Sequence, residues 1–128
     1  MADFGSETGV EGLDYAAGLA EFPLEKIYRR ILRTYIRSTP ALLEKLQSDL
    51  QDPSDENIQD YITTVHGLKG ASYGVHANLV GDKAKALEFA AKDGDLKTVF
   101  SQNDALIATT QRMLSDLEAY LDATPEKD

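Results

Sequence analysis

The sequence contains no cysteine, which removes disulfides, zinc–thiolate sites, iron–sulfur clusters and a thiol nucleophile from the chemistry open to it. It also has no apolar run of membrane-spanning length. Its first residues, Met-Ala-Asp-Phe-Gly-Ser-Glu, lack the basic region and hydrophobic stretch of a secretion signal. A cytoplasmic protein is the expectation. Basic residues are the minority, 13 against 22 acidic ones, for a net charge of −9. Such a surface repels nucleic acid and anionic lipid, so the expected partner is another protein and neither nucleic acid nor membrane. A Gly-x-x-x-x-Gly-Lys-Ser/Thr loop is missing, which leaves no phosphate cradle of that kind. Period-two alternation and Asn-Gly turns are missing as well, and strands are not expected.

What is present is 128 residues of 42% hydrophobic composition, the size of one compact domain that buries its own core. Residues 1–12, with Gly5, Gly9 and Gly12 among polar neighbours, read as a flexible leader. The domain is expected over 13–122, with 123–128 as a flexible tail. A short amphipathic piece over 14–22 presents Leu13, Ala17, Leu19 and Phe22. Leu24, Ile27, Tyr28, Ile31 and Tyr35 then recur at helical spacing, predicting a helix from about Pro23 to Ser38. Thr39-Pro40 either kinks this helix or divides it before Leu42, Leu43, Leu46 and Leu50 resume the stripe.

Asp52-Pro53-Ser54-Asp55-Glu56 reads as a helix start, with a capping side chain, proline at the first helical position and carboxylates in the first turn. The helix it opens reaches about Tyr73 on a core stripe of Ile58, Tyr61, Ile62, Val65, Leu68 and Ser72. Val80, Ala84, Leu87 and Ala91 mark the next helix, which Gly94 ends. Asp95 caps the last, whose inward face is Val99, Leu106, Met113, Leu117 and Tyr120, interrupted by Asn103 and Thr110. The expected fold is all-α: an antiparallel up-and-down four-helix bundle with a short extra N-terminal helix.

Histidine occurs twice. With Val65 at the centre of the buried stripe, His66 points about 100° away from it, at the border of core and solvent. Lys69 and Gly70 follow one turn later and Tyr73 a second turn later on the same edge. Alone, His66 reads first as a half-buried border residue. With these neighbours it reads as a phosphoryl acceptor. A neutral imidazole offers a nucleophilic lone pair near pH 7, and an ammonium one turn away neutralises phosphoryl oxygens. Gly70 leaves the approach open at a helix-propensity cost of about 1 kcal/mol relative to alanine. His76 has no such company and reads as a turn residue. A metal site shared by the two histidines is disfavoured, because ten residues apart they do not share a helix face. Arg29, Arg30, Arg33 and Arg37 read as a solvated outer face.

His66-Gly67-Leu68-Lys69-Gly70-Ala71-Ser72 resembles the His-x-Leu-Lys-Gly-Ser-Ser signature of histidine-containing phosphotransfer domains, the carriers of multistep two-component relays. The resemblance continues through Leu87-Glu88 and Ala91-Lys92-x-Gly94-Asp95 and covers about residues 20–121. Ala71 replaces the first serine, and His76 stands where glycine is frequent. The resemblance implies a four-helix bundle with His66 phosphorylated on Nε2, Lys69 stabilising phosphoryl charge, Gly70 giving clearance and Glu88 lying near the imidazole. It implies receiver domains of response regulators and a sensor or hybrid histidine kinase as partners. The receiver supplies magnesium, so the chain itself needs no cofactor and acts as a carrier without a kinase or ATPase site. Ile62, Thr63, Gly70 and Tyr73 are the expected docking residues, since a transient contact must exclude water and still release. Two other readings are a phosphoacceptor domain serving a separate kinase directly and a non-catalytic helical adaptor. A monomer is expected, because the bundle faces account for most apolar residues.

Overall fold

The computed structural model describes residues 8–125. They form a helical bundle without strands: α1 (Tyr15–Glu21), α2 (Glu25–Asp49), α3 (Asp55–Gly74), α4 (Asn78–Lys92) and α5 (Leu96–Ala123). α2 packs against α3 and α5, α4 packs against the same two, and α1 lies on α2. One core results, in which Tyr28, Leu32, Tyr61, Val65, Leu68, Ala84, Leu106 and Leu117 are all buried. Burying side chains of this size is worth roughly 1.5–3 kcal/mol each, which is what holds amphipathic helices together.

The polar positions inside the core are spent on cross-helix bonds. Tyr28 donates to the carbonyl of Val75 at 2.7 Å, and Tyr35 shares a 2.7 Å hydrogen bond with Ser72, so α2 grips the C-terminal end of α3. Asn103 accepts from Tyr61 at 2.8 Å and donates to the carbonyl of Leu46, tying α5 to α3 and α2. Thr110 returns its hydroxyl to the carbonyl of Leu106. The two interruptions of the α5 stripe therefore face inward, each with a partner.

Several local expectations change. α2 begins at Glu25, and of the two possibilities at Thr39-Pro40 it takes the single helix that passes through the proline. The stripe before the proline, Tyr28, Leu32 and Tyr35, and the stripe after it, Leu43 and Leu46, enter the same core. That shared burial outweighs the roughly 3 kcal/mol that an interior proline costs. The cap of α3 is Ser54, whose hydroxyl accepts from the Asn57 amide at 3.1 Å, so Pro53 lies outside the helix. Packing also begins before residue 13. Val10 is buried, and a Cβ added at Gly12 would stand 2.6 Å from Leu79, so residues 10–12 are not a loose leader; residues 1–7 lie outside the described part.

Arg29 is buried as well, contrary to its expected place on an outer face. Its guanidinium donates to the carbonyls of Leu121 and Thr124 and to the Thr124 hydroxyl. These carbonyls belong to the end of α5, where no intrahelical donor remains, and a planar cation supplies several donors at once. Thr124 is thereby fixed, so the expected flexible tail does not begin at 123; residues 126–128 lie outside the described part.

Candidate functional site

The rotation of α3 is set by its core side. Tyr61, Val65 and Leu68 are fully buried, and Ser72 is held by Tyr35. The residue after Val65 must then face outward, and the His66 side chain is 63% exposed. A ring presented this way would rotate freely unless something held it, and what holds it comes from α4.

Glu88 sits on α4 with its side chain only 5% exposed, and three cationic or potentially cationic groups converge on it. His66 Nδ1 is 2.9 Å from Oε2, Lys92 Nζ is 2.8 Å from the same oxygen, and Lys69 Nζ is 2.7 Å from Oε1. Both lysine contacts are ion pairs, while the His66 contact is also a hydrogen bond. Burial pushes the Glu88 carboxyl up, but the contacts from Lys69, Lys92 and His66 together outweigh it and hold the pKa at about 2. An ionised carboxylate only accepts hydrogen bonds, so the 2.9 Å contact requires the proton on Nδ1. In the neutral ring the lone pair then lies on Nε2, the nitrogen away from Glu88.

On α3 beside the histidine, a Cβ added at Gly67, Gly70 or Gly74 would meet nothing within 4 Å. Internal packing therefore does not require these glycines, although each weakens the helix by about 1 kcal/mol relative to alanine. An exposed imidazole on a helix, held from behind by a buried carboxylate, with an ammonium one turn on and open space alongside, matches the motif in the sequence. A family model, Hpt domain, matches residues 30–124. The chain belongs to the Hpt domain family. Hpt domains are phosphocarrier modules of two-component signalling without kinase activity of their own. No curated protein and no solved structure matches the chain.

Within this Hpt domain, the structure brings His66 and Lys69 each into contact with Glu88, while Gly70 stands one turn beyond the histidine. Lys92 is the contact that sequence reasoning missed. Its spacing of i+4 from Glu88 on one helix was the available signal. The expected docking residues lie in different settings. Thr63 is exposed and bonds its hydroxyl back to the carbonyl of Gln59, whereas Ile62 is half-buried against the core. Tyr73 is half-buried: its ring lies so close to α4 that a Cβ at Gly81 would stand 2.6 Å from it, and its hydroxyl donates to Asp82 at 2.6 Å. That hydrogen bond, with some burial, raises the phenol to about 12, so Tyr73 stays protonated. His76 lies in the turn between α3 and α4 at φ 67°, with Nε2 2.7 Å from Glu21 of α1. The two histidines thus serve different carboxylates. No helix among the described residues is long and apolar enough to cross a membrane.

Proposed function

We propose that this protein carries a phosphoryl group on Nε2 of His66 between aspartates of receiver domains in a two-component phosphorelay. The observation that carries the reading is the 2.9 Å contact from Nδ1 to a buried, ionised carboxylate, behind a ring that is otherwise exposed. Glu88 fixes the tautomer, and the reactive lone pair points to where a partner can reach it.

In the forward step the Nε2 lone pair forms the nitrogen–phosphorus bond as the oxygen–phosphorus bond of the aspartyl phosphate breaks. The partner's carboxylate leaves with the bonding pair. Nδ1 keeps its proton throughout, so the ring becomes cationic against the Glu88 carboxylate, which stabilises the charge as it develops. Lys69 turns its ammonium to the phosphoryl oxygens, and the open flank at Gly70 admits the partner's loop. The reverse step delivers the group to another receiver by the same path. Magnesium belongs to the partner's acidic pocket: Glu88, the buried carboxylate of this site, is already surrounded by cations and is unsuited to a divalent ion. The short connections between α2 and α3, α3 and α4, and α4 and α5 fit an antiparallel up-and-down four-helix arrangement, with α1 as an added piece. Thr63, Ile62, Gly70 and Tyr73 form the surrounding docking surface.

The test is incubation with a phosphorylated receiver domain and magnesium. The expected product is one acid-labile, base-stable phosphoryl group per chain, absent from His66→Gln. A helical adaptor would form none. A separate ATP-binding kinase that phosphorylated His66 faster than any receiver would favour the direct-acceptor reading instead.

A further inference from the structure

Glu88 has two lysine partners where one would neutralise it, and they differ in the element that carries them. Lys69 shares α3 with His66, whereas Lys92 shares α4 with Glu88, four residues on. The Lys92 contact is therefore internal to one helix and does not depend on how α3 or its side chains rearrange. The Lys69 contact crosses between helices and involves the ammonium nearest in sequence to the phosphoryl-accepting ring. Lys92 and His66 also bind the same oxygen, Oε2, at 2.8 and 2.9 Å, while Lys69 binds Oε1.

This division has a consequence in the phosphorylated protein, if the functional reading above holds. A phosphoryl group on Nε2 brings close to two negative charges and competes with Glu88 for the Lys69 ammonium. When Lys69 turns to the phosphoryl oxygens, Oε1 loses its cation, and a buried carboxylate left with fewer partners tends to take up a proton or shift away from the ring. We propose that Lys92 is a positioning residue that keeps Glu88 ionised and seated on Nδ1 of His66 during the interval in which Lys69 is engaged with the phosphoryl group. In the resting protein the two lysines cover for one another; in the phosphorylated protein Lys92 acts alone.

The full-length chain tests this with potassium phosphoramidate as the chemical phosphoryl donor, which requires no cognate receiver. Nitrogen-15 spectra of the imidazole report the Nδ1 proton, and phosphorus-31 spectra report phosphohistidine. Lys92→Met is expected to retain the resting Nδ1–H tautomer, as is Lys69→Met, while the double variant loses it. On phosphorylation, Lys92→Met loses the protected Nδ1–H resonance and forms phosphohistidine about tenfold more slowly, the scale of losing one close ion pair to a buried carboxylate. Lys92→Arg restores both readouts to within about twofold, because a guanidinium reaches the same oxygen. Lys97→Met, on α5, is the control for a general loss of positive charge and changes neither. The proposal is overturned if Lys92→Met matches the unaltered protein in rate and keeps the protected Nδ1–H after phosphorylation, or if arginine rescues no better than methionine. Should the unaltered protein take up no phosphoryl group at His66, the functional reading fails and this proposal with it.

Discussion

The two histidines make opposite use of the same pairing. At His66 the imidazole is exposed and the carboxylate is buried, 63% against 5% of the side chain. At His76 the imidazole is mostly covered and the carboxylate is exposed, 22% against 56%. Glu88 is buried and held by its cationic partners, so it fixes the orientation and proton of a ring that solvent can reach. Glu21 can move, so its pair with His76 does little more than fasten α1 to the turn between α3 and α4, alongside the Asp14 amide on the His76 carbonyl at 2.9 Å. The first ring is held from behind by a buried group and the second is paired at the surface, where exposed ion pairs contribute only ~0–1 kcal/mol.

The sharpest way to break this comparison is to exchange the rings for amides. His66→Gln is expected to abolish phosphohistidine formation from a phosphorylated receiver, while His76→Gln stays within about twofold of the unaltered protein, since a turn residue makes no transition-state contact. Equal losses in both would remove the distinction.

Acid unfolding tests the buried carboxylate. The Glu88 pKa falls from an ordinary 4.5 to about 2 in the folded protein, so its contribution is fully present above 4.5 and is lost as the pH falls from there to about 2. That interval corresponds to up to about 3 kcal/mol. Denaturant titrations at pH 5 and pH 2.5 should show a drop that is smaller by a comparable amount in Glu88→Gln. A drop in Glu88→Gln as large as in the unaltered protein would contradict the role given to the buried carboxylate.

A smaller effect concerns catalysis by the carboxylate. Glu88→Gln keeps an oxygen that can accept from Nδ1 but removes the charge that stabilises the cationic ring, so phosphoryl uptake should fall about tenfold. Unchanged uptake would reduce Glu88 to a structural role. The least effect is expected from the backbone. Gly70→Ala should raise stability by about 1 kcal/mol, because nothing lies near the added methyl, yet slow transfer from a receiver. His76→Gly removes both left-handed strain and the Glu21 contact, so a net change below about 1 kcal/mol is expected in thermal unfolding.

The helices and the exposed position of His66 were legible in the sequence for physical reasons. Apolar residues at spacings of three and four settled which face of α3 is buried, and that placed His66 on the border. Lys69 and Gly70 followed from helical geometry alone. What periodicity could not reveal was how polar residues are satisfied across helices. Arg29 looks like one more cation in a basic run, and only the tertiary arrangement shows that it caps the end of α5. Thr39-Pro40 left a kink and a break equally open, and it is burial on both sides that carries the helix through. Val10 and Gly12 belong to no periodic segment, and their packing against the body depends on contacts distant in sequence. Lys92 was within reach of the i+4 rule, but its meaning depends on Glu88 being buried beside His66.

The most direct test is the assignment of the imidazole nitrogens in the isotopically labelled protein, before and after phosphorylation by a receiver domain with magnesium. His66 is expected to rest with its proton on Nδ1 and to carry phosphorus on Nε2, one group per chain, with His76 unchanged. A resting proton on Nε2, or phosphorus bonded to Nδ1 or to His76, would contradict the account.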